Sequence, residues 1–224
     1  MALNASKIKN NSAAKGPKQD PIDVGTYPVR IAQIIDLGLQ PQRPYQGQEK
    51  PPAQEIMITY EFLDEFCVDE DGKELDDKPR WLSETLPLRS LKAEKAKSTQ
   101  RYYALDPDEE FGGDFTQLAG LPAVASVVQN AGKGKNAGNI YNNIASLSAM
   151  RPKDAGKAVE LQNPPKLFDL DEPDMEVFGS LPDWLQDKIK DNLEFNGSAL
   201  QKALGGKVAE TEESDEEGDD DEWN

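Results

Sequence analysis

The chain has 224 residues, with 42 acidic against 25 basic groups and a formal net charge of −17. One cysteine, Cys67, and no histidine exclude an intrachain disulfide, zinc sites built from Cys and His, and a nucleophile activated by histidine. No apolar run is long enough to cross a bilayer as a helix, and no apolar stretch follows the first lysines, so the expected compartment is the cytosol.

Residues 1–20 read as a flexible basic arm without periodicity, carrying Lys7, Lys9, Lys15 and Lys18. The pattern changes from Val24, and alternation predicts a first strand over Gly25–Leu37, opened by Gly25-Thr26-Tyr27-Pro28. Residues 38–53, with Gly38, Pro41, Pro44, Gly47, Pro51 and Pro52, read as a loop. A second strand follows over Gln54–Phe66, with Ile56, Ile58, Tyr60 and Phe62 on one face. Asp69-Glu70-Asp71-Gly72 is a turn signal. Arg80–Pro87 reads as a short third strand that Pro87 should end or place at an edge.

Leu88–Leu105 is the helical candidate between strands, with a weak apolar stripe. Asp106–Asp114 is a break, and Phe115–Leu118 reads as a helical turn before a fourth strand at Leu121–Gln129. A Gly- and Lys-rich loop over Asn130–Gly138 leads to a last strand, Asn139–Met150. The expected fold is therefore mainly β: a five-stranded OB-like barrel over residues 21–150, with a helical segment between strands 3 and 4. A small β-sandwich fits the strand count nearly as well.

Residues 151–205 read as a linker and a docking helix. The helix is expected over Ser180–Phe195, capped by Ser180, with Leu181, Leu185, Ile189 and Leu193 repeating every four residues beside Trp184. A helix this short needs a surface to dock on. Residues 206–224 read as a disordered acidic tail: Glu210–Asn224 holds ten acidic residues, no basic one, and Trp223 next to its last position. Without those ten charges the net charge is −7, so the body is only mildly acidic.

Binding candidates come from basic residues set beside aromatics. Single-stranded nucleic acid is held by bases stacking on aromatic rings while cations follow the phosphates. Arg80, Lys133, Lys135 and Arg101 are the phosphate candidates, with Arg89, Lys92, Lys95 and Lys97 extending the track. Trp81, Tyr102, Tyr103 and Tyr141 are the stacking candidates, and Asn143 could bond base edges. Gly132-Lys133-Gly134-Lys135 lacks the Ser or Thr of a phosphate-binding loop, since Asn136 follows. The carboxylate clusters lack EF-hand spacing, so no metal or cofactor is expected. No set of general acid, base and nucleophile is visible, which argues against an enzyme.

Gly25-Thr26-Tyr27-Pro28, Asn139-Ile140-Tyr141-Asn142-Asn143-Ile144 and the tail Asp219-Asp220-Asp221-Glu222-Trp223-Asn224 together resemble single-stranded DNA-binding proteins of tailed bacteriophages. In this sequence Asn224 follows the terminal aromatic. The resemblance implies an OB-type body that binds and protects single-stranded DNA in replication, recombination and repair in the host cytoplasm. It also implies that Asp219, Asp220, Asp221, Glu222 and Trp223 recruit a DNA polymerase, helicase or recombination protein of phage or host, and that the tail competes with DNA. It assigns nothing to residues 151–205, which are expected to form a homodimer contact or a clamp. Two rival readings are an acidic adaptor that mimics DNA toward a host enzyme, and a virion or assembly protein.

Overall fold

A computed structural model describes residues 19–206. The described residues divide into two compact units, one of residues 19–35 and 54–167, the other of residues 36–53 and 168–206. The basic arm up to Lys18 and the tail residues Asp219, Asp220, Asp221, Glu222 and Trp223 lie outside the described residues.

The strands are β1 (Gly25–Tyr45), β2 (Gln48–Val68), β3 (Glu74–Pro87), β4 (Pro122–Ala131) and β5 (Ile140–Ala149), with a three-residue β6 (Lys166–Phe168). Their order in the sheet is β3-β2-β1-β4-β5, and β6 pairs with β1 beside this path. Here the structure corrects the expected fold class. The outer strands are β3 and β5, and no ladder joins them among the described residues, so the sheet is open and is not an OB-like barrel. Helix α1 (Lys97–Tyr103) lies against both outer strands instead.

In the first unit the core forms on the face predicted for the second strand. Ile56, Ile58, Tyr60 and Phe62 pack with Val29, Ile31, Leu86, Tyr102, Phe115, Leu118, Val127 and Ile144. The helix is shorter than expected, because residues 88–96 form turns and only Lys97–Tyr103 is helical. A 3-10 turn over Phe115–Leu118 follows, where the Asp114 side chain accepts from the Thr116 amide.

The second unit contains the larger departure from the sequence reading. Residues 38–53 are not a loop: β1 and β2 run through them as the arms of a hairpin. Gln46 and Gly47, both with positive φ, make the two-residue turn, whose backbone twist matches that of the flanking strands. Pro41, Pro44, Pro51 and Pro52 are all exposed, where the absent N–H leaves no buried partner unpaired.

Three short helices follow in that unit: α3 (Met175–Ser180), α4 (Asp183–Lys190) and α5 (Ala199–Ala203), after α2 (Pro152–Ala155) of the first unit. Ser180 ends α3 rather than capping the next helix, because Leu181 precedes Pro182 and is driven out of helical conformation to ψ 148. Leu181, Leu185 and Ile189 are buried as their spacing predicts. The helix stops at Lys190, and Leu193 is 54% exposed with its amide bonded to the Leu39 carbonyl.

Candidate nucleic-acid interface

The first unit carries every described residue singled out for binding. Its organising feature is a buried polar cluster at the gap between β3 and β5. Glu84 of β3 receives the Tyr60 hydroxyl at 2.7 Å and Arg101 Nε at 2.6 Å, with Lys97 Nζ at 3.6 Å. Arg101 Nη2 also donates to the Ile144 carbonyl of β5 at 2.9 Å. One guanidinium from α1 therefore ties the two edge strands that no ladder joins. Burial acts to lower the Arg101 pKa, but the Glu84 carboxylate outweighs it and holds the group protonated. Burial and then the Glu84 charge push the Tyr60 hydroxyl well above its ordinary value.

Arg101 and Tyr102 are thereby withdrawn from the predicted binding set. Arg101 is 3% exposed and fully committed to Glu84 and Ile144. Tyr102 is completely buried, where its hydroxyl donates to Asp106 at 2.7 Å and accepts the Gly113 amide at 2.7 Å. Burial, then the Asp106 bond, raise the Tyr102 pKa to about 12. For Asp106 burial acts upward, but the Tyr102 hydroxyl and the Phe111 and Glu110 amides prevail and lower its pKa. The cause of both departures is the helix: two adjacent residues of a helix can both face inward, whereas adjacent strand residues cannot.

Trp81 and Tyr141 fall differently. β3 and β5 run in the same direction, because four antiparallel steps separate them across the sheet. Trp81 lies three residues before Glu84, and Tyr141 three residues before Ile144. Glu84 and Ile144 are the residues that Arg101 joins. Both aromatics therefore sit at one level, about 10 Å along the strands from the Arg101 tie. Alternation places both on the outward face, and they are 43% and 44% exposed. The Trp81 indole donates to Glu61 at 2.9 Å, which fixes the ring. The Tyr141 ring is seated against Gly132, where an added Cβ would come within 3.0 Å of the ring and collide with the Asn136 carbonyl.

Asn143 is exposed on the same face as Tyr141, with Nδ2 bonded to the Tyr141 carbonyl at 3.3 Å. Lys133 and Lys135 are exposed on the connection that leads into β5. Arg89, Lys92, Lys95 and Lys97 are exposed on the connection that leaves β3. Because β3 and β5 are parallel, these two basic groups occupy opposite ends of the sheet and do not form one patch. Tyr103 lines an open hollow of about 750 Å³ with Leu91, Lys92 and Glu94, its hydroxyl donating to Glu109 at 2.8 Å. Arg80 is half-buried and donates to the Asp20 carbonyl at 2.7 Å.

The sequence reading missed the charged groups that organise this region. Glu61 is 2% exposed, bonded by the Trp81 indole and the Gln162 amide. Arg30 is 7% exposed and donates to the carbonyls of Gly120, Ala158 and Val159 and to Glu160. Residues 158–162 thus cover the outward face of β1 and β2. A polar residue within a strand whose own alternation is otherwise apolar, as Glu61 is between Tyr60 and Phe62, was the available signal. The end of the sheet near the β2–β3 turn is acidic, with Asp69, Glu70, Asp71, Glu74, Asp76 and Asp77. Burial, then the adjacent Asp64, raise the Glu65 pKa, while Arg80 acts the other way.

No protein-family model, no curated protein and no solved structure matches the chain.

Proposed function

We propose that the chain binds single-stranded DNA without sequence preference and shields it during phage DNA replication and recombination. The observation that carries this reading is the pair Trp81 and Tyr141, half-exposed at one level on the two unpaired edges of the sheet, with exposed lysines at either end. A DNA strand following the gap between the edges would meet Lys133 and Lys135, then the two rings, then Lys97, Lys95, Lys92 and Arg89. That path is roughly 33 Å, the length of a ten-residue strand, and spans several nucleotides. Rings accept any base, and phosphate contacts are blind to sequence, so the arrangement favours affinity over specificity.

Asn143 offers one amide beside Tyr141, too little for a base code. The acidic residues 210–224, with Trp223, would then recruit a replication or recombination protein through charge and one aromatic anchor. The test is titration of a fluorescent ~30-nucleotide single strand at two salt concentrations, by the intact chain and by a Trp81→Ala/Tyr141→Ala variant. Salt-sensitive binding that the double variant loses supports the reading. Absence of binding by the intact chain at low salt overturns it.

A further inference from the structure

The hairpin of the second unit has a fixed root and a bare end. At the root, Gln40 Nε2 donates to the carbonyls of Leu37 at 2.7 Å and Lys188 at 3.0 Å, and the Leu193 amide donates to the Leu39 carbonyl at 2.9 Å. Gly38, at φ 72, is packed so closely that an added Cβ would come within 2.7 Å of Asn192 and 2.9 Å of Leu170. Beyond the root the packing ends: of residues 41–52, all but Gln42 are exposed. An arm without a core is held by its root, its ladder and its prolines. Pro41, Pro44, Pro51 and Pro52 fix four φ angles and blunt the arm against a further strand.

The turn decides which side chains share a face. A two-residue turn at Gln46 and Gly47 sets Tyr45 opposite Gln48, and therefore Arg43 opposite Lys50. Alternation gathers Arg43, Tyr45, Gln48 and Lys50 on one face and leaves Glu49 on the other. Lys50 Nζ lies 4.8 Å from the centre of the Tyr45 ring, as a shared face requires. Like charges directly opposite each other on a ribbon are destabilising. Among the described residues neither Arg43 nor Lys50 forms an ion pair, and Glu49 is the only carboxylate between Asp36 and Glu55. What relieves such a pair is an anion set against both groups.

We propose that residues 41–52 are a β-ribbon arm for duplex DNA, lying along the major groove with Arg43 and Lys50 on the phosphates. Two observations favour a duplex over a single strand. A single strand needs an open ring on which to stack a base, and Lys50 already lies over Tyr45. A two-stranded ribbon solvated on both faces matches the major groove, about 12 Å wide. Its two arms, 41–45 and 48–52, reach roughly 17 Å along that groove. The inference stands on the hairpin alone and does not need the single-strand reading.

The test is titration of a fluorescent duplex of ~20 base pairs over a range of salt, by the full chain and by an Arg43→Gln/Lys50→Gln variant. Each duplex phosphate contact contributes about 0.9 to the slope of log affinity against log salt, so the variant should lower that slope by about 1.8. Both side chains are exposed, and the change removes their mutual repulsion, so folding is not at issue. Trp81→Ala/Tyr141→Ala should leave duplex binding near the parent's, which keeps the arm separate from the single-strand reading. Failure of the full chain to bind the duplex at low salt overturns the arm, whatever the single strand does. An unchanged slope in the arm variant overturns it equally. Duplex binding that is lost with Trp81→Ala/Tyr141→Ala places the duplex elsewhere and also sinks it. If the arm variant lowers the slope for a single strand alone, the arm serves that strand and the duplex proposal falls.

Discussion

Arg80-Trp81 and Arg101-Tyr102 carry the same chemistry in sequence, a guanidinium followed by a large aromatic, and the fold puts them to opposite uses. On β3 the pair straddles the sheet, so Arg80 reaches the Asp20 carbonyl while Trp81 stands outward. On α1 the pair turns inward together, and Arg101 and Tyr102 join the core. A cation beside an aromatic is therefore no measure of availability. What decides is whether the local backbone period separates the two side chains or gathers them.

The largest effect should come from breaking the inward pair. Arg101→Met leaves the Glu84 carboxylate without its closest cation in a pocket where its side chain is 11% exposed. Removing one partner of a buried ion pair costs about 3–5 kcal/mol. Urea unfolding should show that loss as a lower midpoint, while single-strand affinity of the protein that remains folded stays near the parent's. A variant that kept its stability and lost its affinity would reverse the assignment of Arg101.

Tyr102→Phe should cost less, about 1–3 kcal/mol, because it deprives Asp106 of a donor and the Gly113 amide of an acceptor. This residue also sets an alkaline signature. Its folded pKa lies above its ordinary value, at about 12, so its contribution is complete below pH 10.0 and is lost as pH rises through about 12. Asp106 gives the opposite limb. Its pKa is lowered on folding, so its contribution is present above its ordinary 3.8 and is lost as pH falls through the lower folded value. Thermal melts of parent and Tyr102→Phe at alkaline pH should therefore converge, and a constant difference would break the account.

The outward rings sharpen the comparison from the other side. Each stacked base contributes about 1–3 kcal/mol, so Tyr141→Ala should weaken single-strand binding about tenfold or more. Its stability should stay within about 0.5 kcal/mol of the parent, as for other exposed positions. Trp81→Ala should lose affinity similarly but also destabilise, because Glu61 is then left buried with one partner fewer. Tyr141 is the cleaner probe for that reason.

Much of the local structure was legible in the sequence, and the arrangement of the whole was not. Ile56, Ile58, Tyr60 and Phe62 showed their buried face by alternation alone, and Leu181, Leu185 and Ile189 showed theirs by spacing. Five strands were countable, but closure depends on whether β3 and β5 exchange backbone bonds, and strand composition carries no record of that. The hairpin over residues 38–53 was hidden because its prolines and glycines are turn residues by habit, and only the exposure of the prolines on both arms makes those harmless in a strand. The exposure of the candidate residues was half legible. Trp81, Tyr141, Lys133 and Lys135 are exposed as a binding role requires, whereas the partners of Arg101 lie 17 and 43 residues away and no local pattern announces them.

The smallest effect should belong to the hairpin lysines. Among the described residues Lys133 and Lys135 make no side-chain hydrogen bond or ion pair, and both stand in solvent at the entry to β5. Changing both to Gln should leave unfolding unaltered and lower the salt slope of single-strand binding by about 1.4, the share of two phosphates. The effect should add to that of Tyr141→Ala, since one removes charge and the other a stacking surface on neighbouring residues. If the lysine pair and the ring were parts of a turn with no ligand, the slope would not move in either variant. A fall in slope with the lysine changes, beside a salt-independent loss with Tyr141→Ala, would separate the two kinds of contact on a single hairpin.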